Sequence, residues 1–322
     1  MSILVFLESA EGKIKKTSLE AAAYAAAMAK EDGDTVTAIA IGAIDEAELV
    51  QSGRYGVSKV LYANDERLNQ GVIQAYASVL AEAFDKENAT VLVLAKSALG
   101  DPVAARLAVK KQASLASNVV ALPDRSGGGF KVKRSIYTGK AFAYVDMTAD
   151  KKIVAIQKNA VDLVEGEGSA QIEKLEVALN ESDFAAKITS TDKITGEVLL
   201  PDADIVVSGG RGLKGPENWG IIEDLAQALG AATACSKPVS DMDWRPHHEH
   251  VGQTGIKVSP TLYIAVGISG AIQHLAGVNS SKCIVVINKD PEAPFFKAAD
   301  YGIVGDAFEV VPKLTEAIKA SK

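Results

Sequence analysis

Short apolar runs alternate with amphipathic stretches along the first half of the chain. The runs typical of buried strands are SILVFLE, TVTAIAIG, VSKVLYA, TVLVLAK and KKIVAIQKN. Between them, apolar residues recur at helical spacing over residues 17–30, 45–51, 75–84 and 101–111. Strands that alternate with helices in this way predict a mainly parallel sheet with helices on both faces.

Local signals refine three elements. We expect Thr17 or Ser18 to cap the first helix, because a hydroxyl there can accept a hydrogen bond from a free backbone amide. The Asp-Pro pair at 101–102 marks the start of the helix that follows TVLVLAK. The segment FKVKRSIYTGKAFAYVDM alternates with period two around the Thr-Gly pair at 138–139, which predicts an antiparallel β-hairpin.

A second strand–helix rhythm begins after a polar stretch, FAAKITSTDKITGEVLLPDA, that lacks helical periodicity. The predicted elements are a strand in DIVVSGG, a helix over 217–229, a strand at 262–266, a short helix opening at 269–270, a strand in CIVVIN, and a last strand and helix. We therefore place two α/β domains at residues 1–190 and 191–322, each with a mainly parallel sheet flanked by helices. A chain of 322 residues is long enough for two.

Composition narrows the class of protein. The net charge of −7 argues against nucleic-acid binding, which needs a basic face. Two cysteines cannot form a disulfide framework and fit a reducing compartment. Residues 1–8 lack the basic start of a signal peptide, and no run approaches the ~18 apolar residues of a membrane span. We expect a cytoplasmic protein without membrane insertion.

The segment GRGLKG at residues 210–215 matches the pattern G-x-G-x-x-G after a strand and before a helix. A dinucleotide-binding fingerprint should be followed about 20 residues later by an acidic residue for the ribose. Here that region is Cys235-Ser236-Lys237, which contains no acid. Arg211, between two glycines, instead favours a turn that places a cation near a pyrophosphate or an anionic ring.

Neither of two other polar motifs supports a catalytic or metal site. Ser269 lacks the second glycine of a G-x-S-x-G nucleophile elbow, so we expect it to be the N-cap of the short helix. The HHEH run at 247–250 has no metal-ligand spacing and is expected to be a solvated loop. His274 differs, because it follows Gln273 in the predicted first helical turn, where we expect it to contact a ligand. No acid–base or nucleophile–base pair emerges, which favours an electron carrier over an enzyme.

Two strand ends keep two interpretations open. Asn288, in the segment INKD, ends an apolar strand, and Asp306 ends the segment IVGD in the same way. Ligands of parallel sheets bind beyond the carboxyl ends of strands. Asn and Asp are also favoured at such positions by turn chemistry alone.

The second half of the chain resembles the alpha subunit of electron transfer flavoprotein. The resemblance rests on SGGRGLKG, VGQTG, LYIAVGISGAIQHLAG, INKDPEAP and DYGIVGD, in the family's order and spacing across about 120 C-terminal residues. It implies a Rossmann-like C-terminal domain that binds one FAD non-covalently. It also implies a heterodimer with a beta subunit that carries AMP, flavin dehydrogenases as electron donors, and a membrane quinone reductase as acceptor.

The resemblance also implies a set of cofactor-binding residues. They are Arg211, Ser236, Lys237, Val251, Gly252, Gln253, Thr254, Ser269, Gly270, Ala271, Ile272, Gln273, His274, Asn288, Asp306 and Ala307. Lys237 stands where the family is expected to have arginine, which keeps the charge and loses the planar guanidinium.

Roles within this set follow from the same resemblance. Thr254 is expected near flavin N5, His274 near the O2 edge, Ser269 and its neighbours at the pyrophosphate, and Asn288 and Asp306 on the adenosine side. The N-terminal domain has no Gly-rich phosphate loop, and its hairpin offers an edge for the beta subunit. Two alternatives remain: an NAD-dependent dehydrogenase that uses GRGLKG, and a nucleotide-binding regulatory module without redox chemistry.

Overall fold

The computed structural model describes residues 2–191 and 199–321, which form two compact units. The first unit comprises the chain up to Ile136 and Phe142–Thr191. The second comprises Tyr137–Ala141 and the chain from residue 199 onward. Within the polar stretch FAAKITSTDKITGEVLLPDA, residues 192–198 lie outside the described residues.

The first unit is built on a large, mainly parallel sheet. Its strands are β1 (Ile3–Leu7), β4 (Val36–Ile41), β5 (Val57–Ala63), β6 (Val91–Ala95), β7 (Ser114–Val119), β8 (Lys131–Ile136), β9 (Ala141–Asp146), β10 (Lys152–Ile156) and β11 (Gln171–Lys174), with a small antiparallel ribbon of β2 (Ser9–Ala10) and β3 (Lys13–Ile14). The strand order of the sheet is β11-β5-β4-β1-β6-β10-β7-β8-β9. The pairs from β11 to β7 are parallel, and β8 joins β7 antiparallel.

Helices cover both faces of this sheet. They are α1 (Lys16–Asp32), α2 (Glu46–Gln51), α3 (Ile73–Lys86) and α4 (Gly100–Lys111). Successive side chains of a strand point to opposite faces of the sheet. Because helices cover both faces, β1 is apolar throughout and contributes side chains to two cores. Val5 packs in one core with Met28 of α1, and Phe6 packs in the other with Leu80 of α3 and Leu107 of α4.

The second unit holds a smaller sheet, in which every pair is parallel. Its elements are β12 (Ile205–Gly209), α5 (Gly220–Leu229), β13 (Ala232–Cys235), α6 (Lys237–Asp241), β14 (Leu262–Val266), α7 (Ile272–Val278), β15 (Cys283–Asn288), β16 (Tyr301–Val304) and α8 (Ala307–Ser321). The strand order is β13-β12-β14-β15-β16, which is a doubly wound order. From β12 the chain adds β13 on one side and then β14, β15 and β16 on the other, so the direction of winding reverses between β12 and β14.

The structure confirms the α/β class and most predicted elements, and it differs from the prediction in two respects. Strands β7, β11 and β13 were not predicted, because SLASNV and QIEK are largely polar and ATAC is very short. The predicted hairpin strands β8 and β9 do lie side by side. The cap prediction for the first helix was wrong: the helix follows Lys15 without a side-chain cap, and the Ser18 hydroxyl instead accepts the Glu8 amide at 2.9 Å.

No helix in the described ranges combines the length and the apolar character needed to cross a membrane.

Helix α4 offers a matched test of the first core. Leu107 is fully buried, whereas Val109 on the same helix is 81% exposed. We expect Leu107→Ala to lower the free energy of unfolding by about 2–5 kcal/mol, because it leaves a cavity. Val109→Ala should change it by less than about 0.5 kcal/mol. Chemical denaturation of both variants makes the comparison, and equal losses would contradict the assignment of this core.

Candidate functional site

A cleft of about 860 Å³ opens at the carboxyl edge of the second sheet. Its walls are the loops that follow β12, β14 and β15, together with α6 and the turn at residues 250–254. Helix α5 packs on the face of the sheet that carries Val207, and α7 on the face that carries Val206. The loops after β12 and β14 therefore lead to opposite faces of the sheet and diverge at the topological switch point. Doubly wound sheets bind ligands at that point. We call this space the carboxyl-edge cleft.

The glycines of GRGLKG join two loops of the cleft to each other. The Gly210 amide donates to the Val266 carbonyl at 2.9 Å, and the Gly212 amide donates to the Gly267 carbonyl at 3.0 Å. A Cβ on Gly212 would lie 2.7 Å from the Gly267 Cα, so only glycine fits there. These glycines are needed for close backbone packing. The Arg211 side chain between them is exposed and lines the cleft.

The loop after β14 differs from the prediction. Helix α7 begins at Ile272 and is preceded by Ala271, so Ser269 is not its N-cap. Gly270 has a φ of +82°, which is left-handed backbone and cannot start a right-handed helix. Ser269 is exposed in the cleft wall, and its carbonyl accepts the Phe295 amide at 3.1 Å.

The turn from Val251 to Thr254 is fastened to α7. The Gln253 amide donates to the Gln273 carbonyl at 2.7 Å. A Cβ on Gly277 of α7 would lie 2.6 Å from the Gly252 Cα. Val251 is therefore buried beneath the turn, and the side chains of Gln253 and Thr254 remain exposed in the cleft.

His274 lines the cleft but is largely enclosed. Its Nε2 lies 2.9 Å from the Tyr263 hydroxyl, and its ring meets Phe295 edge to face at 5.6 Å. Its Nδ1 is buried without a hydrogen-bond partner among the described residues, since the Val251 backbone faces it without hydrogen-bond geometry. Burial lowers the pKa of His274 to about 4, so the ring is neutral near pH 7. His274 can offer a hydrogen bond there, but not a positive charge.

Cations outnumber carboxylates around the cleft. Its lining includes Arg211, Lys214, Lys237 and Lys289, against Asp241 and Asp290. The Lys237 ammonium lies 2.8 Å from the Asp241 carboxylate, and both side chains are more than half exposed. The charge of Lys237 is therefore partly compensated. Together these groups suit a ligand with a negatively charged pyrophosphate.

The structure brings twelve of the sixteen predicted residues to the cleft. They are Arg211, Ser236, Lys237, Val251, Gly252, Gln253, Thr254, Ser269, Ala271, Gln273, His274 and Asn288. Four others do not line it: Gly270, Ile272, Asp306 and Ala307.

Physical reasons account for these four positions. A Cβ on Gly270 would lie 2.5 Å from the Phe295 Cβ, so this residue packs against Phe295. Ile272 is 59% exposed outside the cleft lining. Asp306 accepts the Phe308 amide at 2.9 Å, which is the turn chemistry left open for it, and Ala307 is the first residue of α8.

Asn288 makes the turn contacts left open for it and also lies in the cleft lining. Its amide nitrogen donates to the Ile268 carbonyl at 3.0 Å, and its amide oxygen accepts the Asp290 backbone amide at 3.1 Å. It therefore links the loops after β14 and β15 while it lines the cleft.

Nine further residues line the cleft and were not predicted: Gly212, Lys214, Pro238, Asp241, His250, Gly267, Ile268, Lys289 and Asp290. Most are sequence neighbours of predicted residues, so widening each motif by two or three positions would have found them. His250 is different, because the polar HHEH run was expected to be solvated.

The prediction that the HHEH run is a solvated loop was wrong for its last two residues. His247 and His248 are exposed, whereas Glu249 and His250 are buried. The Glu249 carboxylate is paired with the Arg245 guanidinium at 2.6 Å, which compensates its charge. The run thus passes from solvent into the wall of the cleft.

Comparisons with known proteins agree along nearly the whole chain. An electron transfer flavoprotein domain model matches residues 3–180, and an electron transfer flavoprotein FAD-binding domain model matches residues 199–279. The electron transfer flavoprotein subunit alpha of Bacillus subtilis is 39% identical over 98% of this chain and 97% of its own length. That of Syntrophomonas wolfei is 36% identical over 98% of each chain. The probable mitochondrial subunit alpha of Caenorhabditis elegans is 38% identical over 98% of this chain and 93% of its own.

The packing of Gly267 can be tested against a second glycine. Gly267 has a φ of +63°, and a Cβ there would lie 2.9 Å from the Gly212 Cα. We expect Gly267→Ala to lower the free energy of unfolding by about 2 kcal/mol or more. Gly220→Ala, at the first residue of α5 with open space around it, should be neutral or raise it by up to about 1 kcal/mol. Similar losses in both variants would count against the proposed loop packing.

Proposed function

Because this chain belongs to the electron transfer flavoprotein alpha-subunit family and is an FAD-binding electron carrier, we propose that its FAD lies in the carboxyl-edge cleft. The observation that carries the proposal is the place of the cleft at the switch point between β12 and β14, with four cationic side chains around it. Its volume lies within the range of small-molecule sites.

The residues present fit such a cofactor. Arg211 carries a guanidinium on an exposed turn, which suits an anionic phosphate or ring edge. His274 Nδ1 is a buried polar atom without a partner in the described chain, and a bound ligand can relieve its cost. Thr254 and Gln273 present uncharged polar groups on the same wall. We assign the sixteen residues implied by the resemblance to this site, twelve in the lining of the cleft and four, Gly270, Ile272, Asp306 and Ala307, outside that lining.

When bound, FAD supplies the electron-accepting and electron-donating chemistry. The chain contributes binding, orientation and electrostatics. The charged side chains orient the anionic part, and the neutral His274 can donate a hydrogen bond without adding charge. Lys237 provides a cation that Asp241 partly compensates, so its effect on the FAD potential is smaller than that of an unpaired charge.

The proposed partners follow from the family. We propose a heterodimer with an electron transfer flavoprotein beta subunit that carries AMP, flavin dehydrogenases as donors, and a membrane quinone reductase as acceptor. The chain then has no small-molecule substrate of its own. The NAD-dependent alternative is not favoured, because the glycines of GRGLKG pack against Gly267 and no acidic residue follows at the required distance.

Substitutions in the cleft test the proposed site. We expect Arg211→Ala to weaken FAD retention about 10–150-fold, the value of a lost charge-assisted hydrogen bond of about 1.5–3 kcal/mol. Lys237→Ala should have a smaller effect, because its ammonium already pairs with Asp241. His248→Gln, on an exposed residue, is the control. Equilibrium dialysis with absorbance detection ranks the three, and retention in Arg211→Ala equal to that of the control would contradict the site.

We further propose that the outer face of β9 contacts the beta subunit. Strand β9 is the last strand of the nine-stranded sheet, and its burial alternates along the strand. Phe142 and Tyr144 are 54% and 68% exposed on the same face. An edge strand with two neighbouring exposed aromatics is suited to a protein interface.

A double substitution tests this interface. Phe142→Asp combined with Tyr144→Asp should reduce co-purification of the beta subunit at least tenfold, because two charges would be desolvated at the contact. Val109→Asp, at a more exposed apolar residue of α4, should leave the complex intact. Wild-type recovery of the beta subunit by the double variant would place the interface elsewhere.

A further inference from the structure

His250 is a buried histidine in the wall of the carboxyl-edge cleft. It is 2% exposed, and it forms an isolated parallel bridge with Cys235 that extends the edge of the sheet. Its Nε2 lies 3.3 Å from the position that a Cβ on Gly252 would take, which places the ring beside the turn that holds Gln253 and Thr254. A Cβ on Gly255 would lie 2.7 Å from Nδ1, so backbone encloses the imidazole on two sides.

The ring is not satisfied by the protein. Its Nδ1 is enclosed without a hydrogen-bond partner among the described residues. A buried polar atom without a partner is costly for a folded protein, so it calls for a functional explanation. His250 lies among the residues proposed to hold FAD and is not one of those that the family resemblance implies.

Charged and titratable groups surround His250 on every packed element. They are His247 with its ring 5.6 Å away, the Arg245–Glu249 pair, Lys237 and Asp241 of α6, Cys235 of β13, and His274 of α7. Burial first, then His247 and Lys237, lower the pKa of His250, and Asp241 opposes them. The ring is therefore neutral near pH 7, and a negative charge that arrives nearby would raise its proton affinity.

We propose that His250 is a redox-linked proton site of the FAD cleft. With FAD bound, the His250 ring would take up one proton from solvent and form a new N–H bond as the donor flavoprotein delivers one electron to the cofactor, so that charge would be compensated within the cleft. The inference rests on the proposed place of FAD in this cleft. A proton site of this kind makes the first reduction potential of FAD fall as the pH rises. The fall is confined to the pH range between the pKa of His250 before reduction and its higher pKa after reduction.

Potentiometric titration of the FAD-loaded heterodimer between pH 5.5 and 8 tests the proposal. In the wild type, each tenfold fall in proton concentration should lower the first potential by up to about 59 mV within that window. His250→Gln cannot titrate, so it should remove this dependence. His248→Gln, an exposed neighbour, should retain it. Equal pH slopes in the wild type and His250→Gln would overturn the proposal, as would a slope lost in His247→Gln and kept in His250→Gln.

A measurement on the wild-type protein guards against misfolding of the variant. With ¹⁵N-labelled histidine, the His250 signal is identified by its absence from the spectrum of His250→Gln. Its titration midpoint should lie below the ordinary histidine value in oxidised protein and rise by at least one pH unit on full reduction. A midpoint that does not move would overturn the proposal.

Thr254→Val separates this inference from the proposed site. A changed FAD absorption spectrum in Thr254→Val with an unchanged pH slope in His250→Gln would overturn the role of His250 alone. Unchanged spectra in Thr254→Val, Arg211→Ala and His250→Gln together would place FAD outside the cleft and overturn both proposals.

Discussion

The close approach of Gly212 to Gly267 is the constraint on which the site depends. It brings the loops that follow β12 and β14 within backbone hydrogen-bond distance, although their helices pack on opposite faces of the sheet. A side chain at either position would push the loops apart. Because of this contact, Arg211 and Ser269 face the same cleft, at the edge where the strand order reverses. The same glycines that resemble a dinucleotide fingerprint thus act by holding the cleft together.

The cleft separates charged groups from neutral polar ones. Lysine ammonium groups and an arginine guanidinium line the cleft, although the net charge of the chain is −7. Positive potential is therefore concentrated at the cleft. His250 and His274 are buried in the wall, where desolvation keeps both rings neutral near pH 7. An anionic cofactor can then be attracted by the exposed cations while its redox group meets hydrogen-bonding groups without fixed charge. This division suits an electron carrier, in which the protein orients and tunes the cofactor.

Much of the fold follows from periodicity, because buried parallel strands such as β1 are continuous apolar runs. Strands such as β11 were missed because QIEK lies at a sheet edge, where polar residues stay solvated and only the neighbouring strand supplies pairing. Most predicted cleft residues belong to motifs that end strands, and the switch point brings them together. The burial of His250 could not be predicted from HHEH, because it depends on a bridge to Cys235, which lies outside that motif. Local pattern could not place the start of α7 either, since two left-handed glycines precede it.

Protection of Thr254 by FAD tests the central claim most directly. Thr254 is exposed in the cleft, Cys235 is buried with its pKa raised to about 12, and Cys283→Ser removes the other native thiol. In that background, the alkylation rate of the thiol introduced by Thr254→Cys is measured with and without FAD, beside that introduced by Ser126→Cys at an exposed residue of the first unit. If FAD lies in the carboxyl-edge cleft, it slows alkylation at position 254 at least tenfold and leaves position 126 unchanged. Equal rates at position 254 with and without FAD, in protein whose absorption shows that FAD is bound, would contradict the account.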